Sequence, residues 1–237
     1  MSKPAYRRVM IKVSGEALMG TETYGLHAPT IGKIAADLIE VRKSGVEVAV
    51  VVGGGNLIRG AMLAETGIKR ATADQMGMLA TVMNALALEN AIEAAGGSAR
   101  AMSAVAMPSL CEAYARQTAL KHLKDHIVLL AGGTGQPYFT TDTGAALRAA
   151  ELECEAIFKA TNVDGVYDAD PRTHRNAKRL DRLTHDEALA KDLKVMDAAA
   201  FALAREARLP IIVFSIREKN AIADAVRGTG RSTLVEP

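Results

Sequence analysis

The feature of this sequence that most restricts its fold is an alternation between short apolar, β-branched runs and longer stretches of helical spacing. Residues 46–52 are almost wholly apolar, which is typical of a parallel strand covered by helices on both faces. Residues 29–43 place apolar side chains at helical intervals, with Pro29 near the start and Gly45 after the end. The pattern predicts strands at 9–13, 46–52, 127–131, 155–160 and 210–214, and helices at 29–43, 72–95, 144–153, 197–208 and 220–227.

This order predicts an α/β fold, with an open, mainly parallel sheet between layers of helices. Residues 164–183 do not fit the alternation, because they are polar, basic and rich in turn formers. They are interpreted as either a hairpin or a flexible loop over a site.

Composition restricts the class of partner. The 237 residues carry a net charge of only +2, so charge alone predicts no large basic surface for nucleic acid or for a membrane. Cys111 and Cys154 follow no secretory leader, which predicts two reduced structural thiols in a cytoplasmic protein.

The first segment with chemical character follows the first strand, at Lys12, Val13, Ser14 and Gly15. A lysine within an apolar strand needs an anionic partner if it is buried. Two interpretations remain open. Lys12 either faces solvent on an edge strand or points at a phosphate that the backbone N–H groups of Ser14 and Gly15 also contact.

Three consecutive glycines, residues 53–55, follow the second strand. They allow a ligand close to the backbone, a following helix N-terminus would favour phosphate, and Arg59 could clamp it bidentately. A plain tight turn is the alternative. The Walker spacing fails because Thr21 replaces the required lysine, and the dinucleotide motif fails because Ile58 replaces its third glycine.

Two later strands are followed by polar loops. Residues 132–143 combine glycines with Thr134, Gln136 and other neutral groups that suit a nucleobase or ribose. Asp142 could instead serve only as the N-cap of the next helix. In residues 161–171, Tyr167 could stack on a base, although an ordinary hairpin explains the segment equally well.

These loops contain cations but no catalytic-looking histidine or cysteine. The five histidines (His27, His122, His126, His174 and His185) share no metal-ligand spacing and are expected at the surface. Together the loops indicate phosphoryl transfer, in which the protein positions anions and neutralises charge.

At these residues the sequence resembles the bacterial UMP kinases of the amino acid kinase superfamily, nearly from end to end. The most specific matching segments are 12–18, 53–57 with Arg59 and Gly60, 74–84, 140–142, 159–167 and 193–197.

The resemblance implies one amino acid kinase domain over residues 1–237, an αβα sandwich, a hexamer, and phosphorylation of UMP to UDP by ATP with Mg²⁺. It implies catalytic roles for Lys12, Arg59, Asp142 and Asp197. It places ATP at Lys12, Val13, Ser14, Gly15, Gly55, Arg59, Thr161, Asn162, Tyr167 and Asp170. It places UMP at Gly54, Asp74, Thr134, Gly135, Gln136, Pro137, Tyr138, Phe139, Thr140 and Thr141.

The same resemblance associates a short loop and one arginine with activation by GTP, and the family is commonly inhibited by UTP. The residues concerned are Gly20, Thr21, Glu22, Thr23, Tyr24, Gly25 and Arg100. The chain departs from enterobacterial relatives at residues 88–90 and 93–97, where acidic and small residues replace basic and aromatic ones. Two alternatives stay open: a related kinase that acts on a carboxylate, carbamate or phosphonate, and a non-catalytic nucleotide-binding storage or regulatory protein.

Overall fold

The structure, a computed structural model, describes residues 4–58, 67–171, 173–191, 193 and 195–237. Its main feature is a nine-stranded sheet in the order β4-β3-β5-β2-β1-β6-β10-β11-β9. The strands are β1 (Arg8–Val13), β2 (Glu47–Val52), β3 (Ala99–Ser103), β4 (Glu112–Ala113), β5 (Ile127–Ala131), β6 (Ala156–Thr161), β9 (Arg182–Thr184), β10 (Ile211–Ser215) and β11 (Ser232–Glu236). A separate antiparallel hairpin is formed by β7 (Val166–Tyr167) and β8 (Arg179–Leu180).

All neighbours in the large sheet are parallel except β10 and β11. The helices are α1 (Ala28–Lys43), α2 (Arg70–Ala94), α3 (Arg116–His122), α4 (Thr141–Glu151), α5 (His185–Ala190), α6 (Ala198–Glu206) and α7 (Ala221–Arg227), and a 3₁₀ turn covers Gly15–Met19. No helix among the described residues is both long and apolar enough to span a membrane.

Alternate residues of the central strands enter two separate cores. Val9 and Ile11 of β1 pack in the core that contains α1, α2 and α7, whereas Met10 packs in the core that contains α4 and α6. This is the period of two that a strand imposes. The result is the expected three-layer αβα sandwich, and it fixes the face on which each polar strand residue emerges.

The strand alternation predicted the centre of the fold correctly. Residues 127–131 form β5 at the expected bounds, and the hairpin interpretation of residues 164–183 is confirmed by the pairing of β7 with β8. Both cysteines are free thiols, as expected. The edge-strand interpretation of Lys12 is wrong, because β1 lies between β2 and β6 and Lys12 is buried.

Two further expectations were wrong. The helix after β5 begins at Thr141, with Thr140 as its N-cap, so Asp142 lies in the first turn and is not the cap. His185 is not at the surface: it is buried, and its ring packs edge-on against Phe201 with the ring centroids 5.0 Å apart.

The last strand ties the hairpin to the sheet. β11 lies between β10 and β9, and the hydroxyl of Thr233 accepts the Val166 N–H at 2.8 Å and donates to the Leu180 carbonyl at 2.5 Å. Thr233 is fully buried. The hairpin is therefore anchored through one side chain of β11.

Candidate functional site

The turns that follow β1 and β2 are in direct contact at the carboxyl edge of the sheet. The Gly53 N–H donates to the Val13 carbonyl at 2.9 Å. A Cβ at Gly15 would lie 2.6 Å from the Gly55 nitrogen and 2.7 Å from the Gly53 oxygen, which no side chain tolerates. Glycine at position 15 is therefore required by the close approach of the two turns, which places the predicted phosphate-binding segments side by side.

A buried carboxylate, Asp142, lies between two lysines. Lys12 Nζ is 2.9 Å from its Oδ1 and Lys159 Nζ is 2.7 Å from its Oδ2. Lys12 and Lys159 are register partners on β1 and β6, and both emerge on the face covered by α4. Both contacts are ion pairs between buried groups, and the Lys159 contact is also a hydrogen bond.

The charges of this cluster fix the protonation of its carboxyl group. Burial acts to raise the pKa of Asp142, but the attraction of Lys12 and then Lys159 outweighs it and leaves that pKa below its ordinary value. Burial lowers the pKa of Lys159, and Asp142 opposes that shift. Asp142 is therefore ionised at neutral pH and acts as the counter-ion of two cations.

Asp197 joins the starts of two helices beside this cluster. Its carboxylate accepts the backbone N–H groups of Ala199 and Ala200 and so caps α6. The same carboxylate accepts the hydroxyl of Thr143 at 3.0 Å and the hydroxyl of Thr140, the N-cap of α4. Lys159 also donates to the Val195 carbonyl, two residues before Asp197. The predicted acidic pair therefore shares one neighbourhood with Lys159.

A cavity of about 300 Å³ opens next to the glycine turns. Its lining includes most of the positions that the family resemblance assigns to UMP: Gly54, Asp74, Thr134, Gln136, Phe139, Thr140 and Thr141. Gly55, assigned to ATP, also lines it. Gly135, Pro137 and Tyr138 belong to the same loop but are not among the lining residues.

Asp74 closes one side of this cavity by holding the loop after β5. Its Oδ2 accepts the Tyr138 N–H at 2.8 Å, and both carboxylate oxygens lie 2.9 Å from Arg70 Nε. Tyr138 has a φ of 70°, an uncommon backbone conformation for a residue with a side chain. The Asp74 bond offsets the cost of that conformation and keeps the loop in place.

The residues assigned to the ATP nucleoside lie apart from this cavity, beyond the carboxyl end of β6. Thr161 ends β6 and its hydroxyl donates to the Val163 carbonyl at 2.8 Å. Asn162 is exposed beside it, and Asp170 follows the strand β7. Tyr167, on β7, donates its hydroxyl to Asp164 at 2.7 Å. These residues share the hairpin side of the sheet edge.

The residues associated with GTP are not brought together within one chain. Gly20–Gly25 follow the carboxyl end of β1, where the Gly25 N–H donates to the Asn56 carbonyl at 3.0 Å. Arg100 lies at the opposite edge, near the amino end of β3, and contacts Glu93 at 3.5 Å. Arg59 and any helix directly after the triple glycine fall at residues 59–66, outside the described residues.

The sequence model of the amino acid kinase family matches residues 7–215. The chain belongs to the amino acid kinase family. It is 66% identical to the uridylate kinase of Azorhizobium caulinodans, with 98% of each chain covered. It is 59% identical to that of Nitrobacter winogradskyi, with 99% of each covered.

Solved structures agree with this family membership. The crystal structure of UMP kinase from Ureaplasma parvum superposes with a TM-score of 0.94 at 38% identity and full coverage of both chains. UMP kinase from Bacillus anthracis superposes with a TM-score of 0.93 at 35% identity, covering 98% of this chain and 96% of that one. The amino acid kinase fold predicted from the sequence is confirmed.

Sequence reasoning missed two residues of this amino acid kinase site. Lys159 begins the matching segment 159–167 but is assigned no role there, although it is, like Lys12, a lysine within an otherwise apolar strand. Thr81 is buried in α2 and its hydroxyl accepts the Gly132 N–H at 2.7 Å, which fixes the turn after β5. A threonine within a long helix gives no comparable signal, because its partner lies 51 residues away.

Proposed function

We propose that this chain phosphorylates UMP to UDP with ATP as the phosphoryl donor. The observation that carries the proposal is the pair of register-matched lysines, Lys12 and Lys159, held around Asp142 beside the interlocked glycine turns. Relatives that are named uridylate kinases match nearly the whole chain, which supports UMP as the acceptor.

The chemical problem is electrostatic. The acceptor phosphate must approach the γ-phosphate of ATP, and two like unit charges about 4 Å apart repel by about 4 kcal/mol at the dielectric of a partly buried site. Lys12 and Lys159 carry two positive charges against the single negative charge of Asp142. These three groups carry one net positive charge, and Asp197 lies beside Lys159. Lys12 is therefore the ammonium group best placed to stabilise the negative charge on the oxygens of the transferring phosphoryl group.

Each predicted residue then has a physical role. Lys12 and Arg59 contact the transferring phosphate, Asp142 orients the two lysines, and Asp197 fixes the starts of α4 and α6 around them. The turns at Val13–Gly15 and Gly55 hold the ATP phosphates, and Thr161, Asn162, Tyr167 and Asp170 hold the ATP nucleoside. The cavity that Asp74 closes receives UMP, and its lining includes Gly54, Thr134, Gln136, Phe139, Thr140 and Thr141.

Mg²⁺ is expected to arrive with ATP. No group of three or more His, Cys, Asp or Glu in the described part of the chain is arranged to hold a metal ion. The two nearby carboxylates already have partners, Asp142 on lysines and Asp197 on hydroxyls. These residues fit a metal held mainly by ATP phosphates and water, as Mg²⁺ usually is in kinases. Bound there, it would neutralise phosphate charge.

Finer points extend the same proposal. We propose that residues 1–237 form one kinase domain, since the large sheet includes strands from β1 to β11. We further propose a cytoplasmic homohexamer, activated by GTP and inhibited by UTP, on the family resemblance. Because Gly20–Gly25 and Arg100 lie at opposite edges of the sheet, a GTP molecule that touches both would bridge two chains.

The test is direct. Purified protein is mixed with Mg-ATP and, separately, with UMP, CMP, glutamate, aspartate or carbamate, and the products are identified by ³¹P NMR. UDP formed from UMP, at a rate far above that of the other acceptors, is the expected result. Transfer to a different acceptor, or tight ATP binding with transfer to none of them, would contradict the proposal.

A further inference from the structure

Two buried asparagines form a reciprocal amide pair behind the triple-glycine turn. Asn84 of α2 is fully buried and Asn56 is 1% exposed. Asn84 Nδ2 donates to Asn56 Oδ1 at 2.7 Å, and Asn56 Nδ2 donates to Asn84 Oδ1 at 3.1 Å. Their remaining amide hydrogens are also used, since Asn84 donates to the Gly53 carbonyl at 2.6 Å and Asn56 to the Gly25 carbonyl at 2.9 Å.

This pair contacts three separate segments of the site. It holds Gly53 in the triple-glycine turn. It holds Gly25 from both sides, because the Gly25 N–H also donates to the Asn56 backbone carbonyl. A Cβ at Gly15 would lie 2.7 Å from Asn56 Oδ1, so the turn after β1 rests against the pair as well. A fully satisfied buried polar network specifies one arrangement of its partners.

The bond to Gly53 has a consequence for the next peptide group. In a trans peptide the C=O and the following N–H point in opposite directions. Because Asn84 holds the Gly53 carbonyl towards α2, the Gly54 N–H is directed to the other side of that peptide. Glycine has no side chain to hinder rotation of this peptide, so the amide of Asn84 supplies the restraint that the sequence Gly53–Gly55 lacks.

We propose that Asn84 is a positioning residue for phosphoryl transfer: through Gly53 and Asn56 it fixes the triple-glycine turn in its nucleotide-binding orientation and ties the segment Gly20–Gly25 to it. The inference rests on the proposed function for its catalytic readout. Asn84 contacts no reacting atom; it acts through the backbone that does.

The test uses Asn84→Asp, which keeps the shape of the side chain but replaces two donors with an acceptor. That acceptor then faces the Gly53 carbonyl and Asn56 Oδ1, so the peptide 53–54 is released or reversed. The matched control is Leu88→Ala, one turn further along α2 in the hydrophobic core, which lowers stability without changing this network. The side chain of Asn84→Ser is too short to reach the Gly53 carbonyl and Asn56 Oδ1. This variant replaces Asn84→Asp if the Asp variant does not fold.

The expected result is a rise of about tenfold or more in KM for ATP and UMP in the Asn84 variant, with a fall in kcat, at a temperature well below both melting points. Leu88→Ala should have a lower Tm and wild-type KM values. Chymotrypsin should also cut faster after Tyr24, which is 68% exposed, in the Asn84 variant than in the control. Wild-type KM values in the Asn84 variant, or an equal change in Leu88→Ala, would overturn the inference.

A binding measurement separates this inference from the proposed function. If the wild-type protein made no UDP, the affinity for ATP could still be measured by calorimetry and compared between the wild type, the Asn84 variant and Leu88→Ala. A loss of about tenfold confined to the Asn84 variant would uphold the positioning role, and an unchanged affinity would overturn it.

Discussion

Lys12 and Lys159 are register partners on neighbouring parallel strands, and their ammonium groups approach opposite oxygens of one buried carboxylate. Two adjacent cations would repel each other strongly in a buried site, and the carboxylate of Asp142 makes their pairing possible. The three groups carry one net positive charge, and a second carboxylate, Asp197, lies beside Lys159.

Replacing Lys12 with methionine should lower kcat at least about a hundredfold, because one preorganised positive charge at the transferring phosphate is lost. The KM for UMP should change little, since Lys12 does not line the UMP cavity. Lys121→Met, an exposed lysine in α3, makes the same change in net charge and should leave kcat as in the wild type. Steady-state kinetics that gave both variants near-normal turnover would remove Lys12 from the mechanism.

Asp142→Asn should destabilise the fold by about 3 kcal/mol, because it removes the carboxylate that both buried ammonium groups contact. Adding Lys159→Met removes one of those charges, so the double variant should regain much of the lost stability and still lack activity. Denaturant unfolding of the wild type, both single variants and the double variant measures this coupling. Strictly additive free energies would show that Asp142 and Lys159 do not interact.

Asp197 can be separated into a capping role and an electrostatic role. Asp197→Ala removes the acceptor for two backbone N–H groups of α6 and should cost about 1 kcal/mol of stability. Asp197→Asn keeps an acceptor at that position, so its Tm should stay close to that of the wild type. Activity should fall in both variants, because the negative charge beside Lys159 is lost. A fully active Asn variant would limit Asp197 to helix capping.

Asp74→Ala should raise the KM for UMP by more than it lowers kcat. The variant loses the acceptor that holds the Tyr138 N–H, and with it the conformation of the loop that walls the cavity. Asp74→Asn is the control, because it removes the negative charge but keeps an oxygen that can accept the Tyr138 N–H. If the two variants bound UMP equally weakly, charge rather than loop position would explain the role of Asp74.

Stability should fall as pH drops below the ordinary histidine pKa of 6.5. Burial, and then the nearby Arg205, lower the pKa of His185, while Asp186 opposes the shift. Neither ring nitrogen has a hydrogen-bond partner among the described residues. Below pH 6.5 the unfolded chain therefore binds a proton that the folded chain does not, and stability is lost until the pH reaches the folded-state pKa. The slope is at most about 1.4 kcal/mol per pH unit for one proton.

His185→Leu removes this proton and should flatten the dependence of Tm on pH just below pH 6.5. His174→Gln, at an exposed position, should keep the wild-type slope. Burial and then Arg100 also lower the pKa of His126, so some dependence should remain in the His185 variant. Identical slopes in the wild type and His185→Leu would show that protonation of His185 does not contribute to the pH dependence of stability in this range.

The sequence predicted those strands whose residues are apolar along the whole length that is buried in the fold. Residues 127–131 are apolar throughout and form β5, which is buried along its whole length. β3 was missed because Arg100 and Ser103 interrupt its apolar run; the strand is defined by its pairing with β5, from Ala99 opposite Ile127 to Ser103 opposite Ala131. Pairing between distant segments is a tertiary effect that no local pattern reports.

The candidate site was predictable as a set of loops and less so as a set of contacts. Glycine and lysine directly after buried strands indicated the carboxyl edge correctly. The role of Asp142 could not be predicted from the local sequence, because Thr140 and Asp142 are both good N-cap residues. Only the fold shows that Thr140 is the cap, which leaves Asp142 to pair with the lysines. Lys12 lies 130 residues before Asp142, and its position beside Lys159 depends on β1 and β6 being neighbours.

The place of β11 has a consequence for the order of events on the ribosome. β9 joins the large sheet through β11, and Thr233 fastens both strands of the β7–β8 hairpin. The residues of β11 are synthesised some fifty residues after those of β9. The hairpin that carries Tyr167 therefore cannot dock on β11 until residues 232–236 emerge from the exit tunnel. Strands β1 and β6, which carry the two lysines, are therefore synthesised before the hairpin can dock on β11.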